Sequence, residues 1–344
     1  MAKECRPLPC IDFLPFVPLL AWVLLVTTSW THDAHARPAV PIGVAYDTPL
    51  EKGEWSLFYI YQRIEGKGLR KGKDRVESDE LVDAPVTQVP VEMEVDVHTV
   101  GIRHAPFERL TLVARLPLLS QKMRQRDFDD GGDRYTTHSS GVGDLEIVGL
   151  VPFMEKRDET LDLHLGLRFP TGEINNKDDV PDGAGGKQNV LLPLPMQIGS
   201  HTFAMLFGLT YQGHWQGLGW GLLGGGAVGF GDNHRGYRLG NEMLFTGWLA
   251  HDVTSWLSGS FRLGFDRWNR LHGSSRSGPE NHQVSYQSAS AGKRLALGPG
   301  LSVALPWLGA QRLSIEASWP VYQSYKGGQV ERDWSLTTGW EWTF

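Results

Sequence analysis

The last residues of the chain, 334–344, constrain its fold more than any other segment. In an extended strand, side chains alternate between two faces. One face of this segment carries its large apolar side chains: Trp334, Leu336, Trp340, Trp342 and Phe344. The other face carries small or polar ones: Ser335, Thr337, Glu341 and Thr343. This pattern is what a strand needs between lipid and a polar lumen, so it predicts a transmembrane β-barrel. A soluble edge strand is the alternative.

The chain stops on an aromatic residue, Phe344. This ending resembles the C-terminal signal of bacterial outer-membrane β-barrels. We therefore interpret Trp340, Trp342 and Phe344 as an assembly signal that the barrel-insertion machinery reads. Outer-membrane lipid and this machinery are the expected partners.

The front of the chain indicates export. A short basic start with Lys3 and Arg6 precedes an apolar run at 11–26, and Ala34-His35-Ala36 offers a small-x-small cleavage site. The predicted divisions are a signal peptide at 1–36, a periplasmic lead-in at 37–54 and an outer-membrane barrel at 55–344. Both cysteines, Cys5 and Cys10, precede the predicted cut, so no disulfide is expected in the exported chain.

Composition excludes two other classes of protein. The net charge of −6 gives no electrostatic case for binding nucleic acid. A mean hydropathy of −0.27, without a later run of about 20 apolar residues, argues against membrane-spanning helices. The 41 glycines and 13 tryptophans fit a barrel with tight turns and aromatic belts at the membrane interfaces.

Period-two alternation predicts twelve antiparallel strands in an all-β, up-and-down barrel. The predicted strands are 55–64, 91–99, 110–116, 145–153, 161–169, 197–212, 218–231, 238–250, 255–268, 284–305, 312–323 and 331–344. Polar loops are expected at 121–140 and 171–188, and a turn at 104–107. Long and short connections alternate, and an even strand number places both termini on the periplasmic side.

Charged side chains alternate with apolar ones along these strands. An Arg or Lys facing the bilayer midplane costs about 2–4 kcal/mol in such barrels, so we expect the charges to face the lumen. The candidates are Glu94, Asp96, His98, Arg109, Arg115, Asp144, Glu146, Asp162, His164, Arg168, Glu242, Arg262, Asp266, Glu316 and Glu341. Arg109 and Arg115 are expected to neighbour Glu94 and Asp96. These groups form either a structural core that fills a narrow barrel or a charged path for a solute.

No metal site or catalytic motif is expected. His98 and His164 fit a hydrogen-bonded network better than a metal site. The acidic stretches at 129–133 and 178–183 lack the spacing of a calcium-binding loop. No serine-hydrolase, zinc-protease or phosphate-binding motif occurs, so we expect neither an enzyme nor a cofactor.

Several short motifs resemble a family of outer-membrane proteins named for the meta-pathway of phenol degradation. The motifs are Gly141-Val142-Gly143-Asp144-Leu145, Leu167-Arg168-Phe169-Pro170-Thr171-Gly172, Tyr237-Arg238-Leu239-Gly240, Trp319-Pro320-Val321-Tyr322-Gln323 and Asp333-Trp334-Ser335-Leu336. Phe169 and Asn241 depart from the family pattern. The resemblance covers about 141–344 and implies a transport role with no catalytic residue. Its motifs are structural, and Pro170-Thr171-Gly172 is expected to end a strand and begin an outer loop.

Together these features predict an outer-membrane barrel that passively admits a small solute. An aromatic or hydrophobic solute is expected. One alternative is a barrel enzyme acting on lipid through loop residues such as His138, Ser139, Ser140, His272, Ser274 and His282. A second alternative is a structural or adhesion barrel whose long loops bind partners.

Overall fold

The computed structural model describes residues 40–44, 49–82, 88–128, 131–182, 186–273 and 291–344. The predicted signal peptide and its cleavage site lie outside these residues. The strands are β1 (Trp55–Lys67), β2 (Leu69–Gly72), β3 (Asp74–Val76), β4 (Gln88–Phe107), β5 (Leu110–Asp127), β6 (Asp133–Val142), β7 (Leu145–Glu155), β8 (Glu159–Phe169), β9 (Lys177–Pro181), β10 (Lys187–Leu191), β11 (Phe203–Trp215), β12 (Leu218–Phe230), β13 (Tyr237–Arg238), β14 (Glu242–Asp252), β15 (Leu257–Trp268), β16 (His272–Gly273), β17 (Gly292–Leu305), β18 (Ala310–Val330) and β19 (Trp334–Thr343). The described chain contains no helix that is long and apolar enough to cross a membrane.

The strands form a closed antiparallel barrel of twelve, as the sequence predicts. The order around the wall is β1, β4, β5, β6 with β7, β8, β11, β12, β14, β15, β17, β18 and β19. β6 and β7 are two parts of one wall strand, because both pair with β5 on either side of a break at Gly143 and Asp144. β19 closes the barrel against β1, from Ser56 opposite Thr343 to Glu65 opposite Trp334.

Short and long connections lie at opposite ends of the barrel. The end with the short turns, which we call the turn end, holds Trp55, Phe344 and the connections 108–109, 156–158, 216–217, 253–256 and 306–309. The loop end holds the connections 68–87, 128–132, 170–202, 231–241, 269–291 and 331–333. This separation follows from an even number of antiparallel strands.

Several strand ends differ from the sequence prediction. β4 runs through the expected turn at 104–107, and the expected loop at 121–140 is largely a hairpin of β5 and β6. Both faces of this hairpin carry polar side chains, so the apolar alternation that marks a strand is absent there. The predicted strand at 284–305 begins at Gly292 in the described chain, and 284–290 lies outside the described residues.

The wall is apolar outside, and its inward face combines polar side chains with buried apolar ones. Leu165, on the outward face of β8, is 51% exposed, whereas Thr210, on the inward face of β11, is fully buried. The same contrast holds around the ring, with outward Phe207, Leu249 and Phe261 exposed. A soluble protein buries its large apolar side chains, so this inverted distribution fits a wall that faces lipid.

Residues 40–44 lie inside the barrel. Val44 packs against the inward side chains Leu223 and Trp248, and Ile42 lies against Gly339 on the opposite side of the lumen. These residues belong to the predicted lead-in at 37–54, whose periplasmic location stays a prediction. The segment is Val-Pro-Ile-Gly-Val, and its apolar side chains match the apolar patch that the inward wall offers there.

Candidate functional site in the barrel lumen

Most of the predicted lumen-facing charges lie on inward strand faces. Register places ten of them there: Arg115, Glu146, Asp162, His164, Arg168, Glu242, Arg262, Asp266, Glu316 and Glu341. Each shares its face with the buried inward residues of neighbouring strands, such as Val113, Thr210 and Ser302. Whether they line a path for a solute stays a prediction.

Arg115, Glu146, Arg168 and Glu242 form a chain of charges along the inner wall. Arg115 Nε donates to Glu146 Oε2 at 2.6 Å, and Arg168 Nε donates to Glu146 Oε1 at 2.9 Å. Arg168 Nη2 also reaches Glu242 Oε2 at 3.5 Å. Arg115 was expected beside Glu94 and Asp96, but on β4 it faces Gly101 and its carboxylate partner lies on β7. That expected pairing is therefore wrong.

Two further ion pairs lie on the inner wall, nearer the turn end. Arg262 Nε lies 3.0 Å from both carboxylate oxygens of Glu316, whose side chain is 1% exposed. Arg103 Nη2 lies 2.9 Å from Glu341 Oε1, which also accepts a hydrogen bond from Ser56 Oγ. Arg103 was not among the sequence candidates because the strand predicted there ends at residue 99, whereas β4 continues to Phe107.

His164 belongs to a hydrogen-bonded network on the inner wall. Its Nε2 lies 3.2 Å from Thr210 Oγ1, and Asp162 Oδ2 accepts from Gln212 Nε2 at 3.5 Å. Among the described residues, no three His, Cys, Asp or Glu side chains are grouped closely enough to hold a metal ion.

Glu94, Asp96 and His98 face outward, so their prediction as lumen-facing residues is wrong. They share a face of β4 with the exposed Val100 and Ile102, whereas Arg103 lies on the opposite face, which points into the lumen. β4 has 20 residues, more than the roughly 9–11 that cross the hydrocarbon layer, so its loop-end half extends beyond an apolar band of that height.

Outward charges on this extension pair with neighbouring strands. Arg63 on β1 contacts Glu94 at 2.9 Å and Asp96 at 3.1 Å, and Tyr61 Oη donates to Asp96 at 2.7 Å. The argument from membrane cost applies only within the hydrocarbon layer, which is why it failed here. Arg109 lies on neither face, because it is exposed in the turn between β4 and β5.

Asp144 accepts hydrogen bonds from the 170–202 connection and does not line the open lumen. Its Oδ1 accepts from Gly172 N at 2.9 Å, and its Oδ2 accepts from Ser200 N at 2.9 Å and from Ser200 Oγ at 2.6 Å. Thr171 Oγ1 donates to Gly143 O at 2.8 Å. The first two motifs of the family resemblance therefore meet, and they fasten the 170–202 connection to the break between β6 and β7.

Two cavities lie within the described part of the barrel. One of about 90 Å³ lies in the turn-end half, between residues 40–44 and inward side chains such as Phe58 and Arg103. The other, of about 330 Å³, lies in the loop-end half and is lined by residues that include Arg168, Glu242 and Arg294. The loop-end cavity is the larger of the two.

Among the described loop residues considered for lipid chemistry, His138 and Ser139 do not converge. His138 and Ser139 are adjacent on β6, so their side chains point to opposite faces, and His138 is exposed while Ser139 is buried. His138 instead approaches Asp178, whose Oδ2 accepts its backbone N–H at 2.7 Å. Ser274, His282, Asp129, Asp130 and Gly183 lie outside the described residues.

No family model and no curated protein matches the chain. A solved outer membrane channel from Pseudomonas putida F1 has a TM-score of 0.58 at 14% identity, covering 91% of this chain and 100% of that chain. The transport unit of the Escherichia coli autotransporter AIDA-I has a TM-score of 0.47 at 9% identity, covering 87% and 94%. The NalP translocator domain from Neisseria meningitidis has a TM-score of 0.43 at 12% identity, covering 88% and 91%. Of these three, the first alone exceeds a TM-score of 0.5, and it shows a shared barrel fold. The resemblance to the phenol-degradation family stays a prediction.

Proposed function

We propose that this protein is an outer-membrane channel that admits a small solute into its lumen passively. The observation that carries the proposal is the cavity of about 330 Å³ inside a closed barrel, whose lining sets the charged Arg168, Glu242 and Asp266 beside apolar side chains. Twelve strands stand between small barrels filled by side chains and porins with wide aqueous pores, so a narrow path suits this size.

The outer wall supports a membrane location. Exposed apolar side chains surround the barrel, and the fold is similar to that of a protein described as an outer membrane channel. We further propose that outer-membrane lipid contacts this wall and that the assembly machinery reads Trp340, Trp342 and Phe344. Phe344 supports that role by its 54% exposure at the turn end, beside Trp342.

The solute is proposed to be small and of aromatic or hydrophobic character. The paired charges leave a cavity whose wall also includes Leu206, Leu244 and Trp268, so apolar contact is available beside polar groups. No described contact favours the lipid-enzyme or adhesion alternatives over this one.

Liposome swelling tests the proposal. The full exported chain is compared with a variant that lacks residues 37–48, using neutral, anionic, cationic and aromatic solutes of similar size. Because 40–44 occupy the turn-end half of the lumen, the deletion variant should swell faster than the unmodified barrel. Folding is verified by heat-modifiable migration. Swelling rates equal to those of protein-free liposomes for both folded proteins, with every solute, would contradict a channel.

Location is tested separately by fractionation of cells. Recovery in the outer membrane is expected, and recovery in the soluble periplasm would contradict the membrane assignment.

A further inference from the structure

A group of polar and aromatic side chains meets on the inner wall at the loop end, where β15, β17 and β18 adjoin. Asp266 is opposite Arg294, and Trp268 is opposite Gly292. Gln323 is opposite Arg294, and Tyr325 is opposite Gly292. We call Asp266, Trp268, Arg294, Tyr325 and Arg332 the loop-end box. Its members Asp266, Trp268 and Arg294 line the 330 Å³ cavity.

A glycine brings the two aromatic rings of the box together. A Cβ at Gly292 would lie only 2.5 Å from the Trp268 ring and 2.7 Å from the Tyr325 ring, so a larger residue has no room. The two ring centroids are 5.7 Å apart with an interplanar angle of 45°. Tyr325 is almost fully buried, while Trp268 keeps a surface toward the cavity. Trp268 therefore offers an aromatic ring to a molecule in the cavity, with Tyr325 behind it.

Among the described residues, this place carries more positive charge than its carboxylates balance. The charged residues that line the cavity, with their ion-pair partners, are the arginines Arg115, Arg168, Arg267 and Arg294 and the carboxylates Glu146, Glu242 and Asp266, and Arg332 lies beside Arg294 and Asp266. Arg294 Nη2 donates to Asp266 Oδ2 at 2.7 Å, but the buried Arg294 Nε has no acceptor. A buried donor without an acceptor is costly and uncommon, and a ligand oxygen would satisfy it.

Arg332 supplies the excess charge. Its backbone is fixed by Gln323, since Arg332 N donates to Gln323 Oε1 at 3.0 Å and Gln323 Nε2 donates to Arg332 O at 2.8 Å. Its guanidinium lies near Asp266, Tyr325 and Arg294, yet it forms no ion pair or hydrogen bond within the described chain. Burial, together with the Arg294 guanidinium, lowers the pKa of Arg332 to about 9, so it remains a cation at neutral pH.

We infer that the loop-end box binds a small aromatic carboxylate, with the carboxylate on Arg332 and Arg294 Nε and the ring against Trp268. This inference rests on the proposed function, since it names the class of solute that the channel would take. Guanidinium groups bind carboxylates through charge-assisted hydrogen bonds, and an aromatic face adds contact that a simple anion cannot use. Arg294 already lies over the Trp268 ring at 5.6 Å, so charge and ring are side by side.

Calorimetric titration of the full exported chain, folded in detergent, tests the site with benzoate as the probe. Benzyl alcohol keeps the ring without the charge, acetate keeps the charge without the ring, and benzylammonium reverses the charge. Benzoate should bind saturably and about tenfold or more tightly than the other three, because they lack one contact or oppose the charge.

Variants assign the contacts. Arg332→Gln should weaken benzoate binding about tenfold, whereas Arg332→Lys should keep much of the affinity because it keeps the charge. Trp268→Leu should reduce the preference for benzoate over acetate. Lys293→Gln is the matched control, because Lys293 is next to Arg294 in the chain but is exposed on the outward face of β17. It removes the same charge and should change affinity less than twofold.

The inference would be overturned if folded wild type bound benzoate no better than benzyl alcohol, or if Lys293→Gln and Arg332→Gln had equal effects. These outcomes are separable from failure of the proposed function. Benzoate binding without any liposome swelling would contradict the channel and leave the binding site standing. Swelling with neutral solutes but no benzoate binding would contradict the site and leave the channel standing.

Discussion

Glu146 is a carboxylate of the inner wall that pairs with two arginines. It lies on β7, its side chain is 9% exposed, and it accepts hydrogen bonds from Arg115 at 2.6 Å and from Arg168 at 2.9 Å. The substitution Glu146→Gln keeps the size of the side chain and removes its charge. Two guanidinium groups would then face each other across a neutral amide. Arg168 would retain Glu242, and the nearest charged partner of Arg115 would be gone.

The expected cost follows from burial. Removing one partner of a buried ion pair costs about 3–5 kcal/mol, because the remaining charge is left uncompensated. The arginine side chains are 31% and 20% exposed toward the lumen, so water offsets part of this cost. We therefore expect Glu146→Gln to lower the free energy of unfolding by about 2–3 kcal/mol. The matched control is Glu242→Gln, because Glu242 is 44% exposed and has one partner at 3.5 Å. Its cost should be about 0–1 kcal/mol.

Urea unfolding of the barrel in lipid vesicles measures both variants. Tryptophan fluorescence and heat-modifiable migration should give the same transition midpoint, which confirms that one process is followed. The order of the midpoints should be wild type, then Glu242→Gln close to it, then Glu146→Gln clearly below. Equal midpoints for the two variants would refute the view that Glu146 compensates two partly buried cations.

Three further outcomes are expected. Arg115→Glu should reduce the folded fraction seen by heat-modifiable migration, because it sets two carboxylates together at Glu146, while Arg115→Gln should be mild. Deleting Phe344 removes burial worth at most about 1.5–3 kcal/mol, so the variant should fold in detergent yet accumulate unassembled in the periplasm; Thr343→Ser should assemble normally, and normal assembly of the deletion would exclude a C-terminal signal. Asp144→Asn should make the 170–202 connection more sensitive to limited proteolysis, because an amide donor would face the two donors of its Oδ2; unchanged cleavage would show that other contacts hold the loop.

Alternation alone was enough to predict the barrel, its strand number and its lipid-facing wall. On β8, Leu161, Leu163, Leu165 and Leu167 face outward, as their spacing indicates. A lipid-facing position tolerates few charges, so the pattern has one interpretation wherever the strand lies in the hydrocarbon layer. The alternation of long and short connections adds an independent constraint, because it requires an even number of strands.

The same rule failed where a strand extends past that layer. On β4, the alternation of Glu94, Asp96 and His98 has the same period as the inward charges elsewhere, but its polar face is outward. Sequence gives the period of a strand and not its height relative to the membrane. The partner of Arg115 was missed for a related reason, because it depends on the stagger between neighbouring strands, which the register fixes only in the folded barrel.

The interior of this barrel is divided by its own N-terminal segment. Residues 40–44 pack apolar side chains into the turn-end half, where about 90 Å³ remains free, whereas about 330 Å³ is free in the loop-end half. A solute entering from the loop end would meet the charges of Arg168 and Glu242 before it reached the filled half. Selectivity among solutes and the barrier to their passage would then belong to different parts of the lumen. Deletion of 37–48 should therefore raise swelling rates for every solute by a similar factor, while changes in the loop-end box should alter the preference for anionic aromatic solutes and leave the rate for neutral ones unchanged.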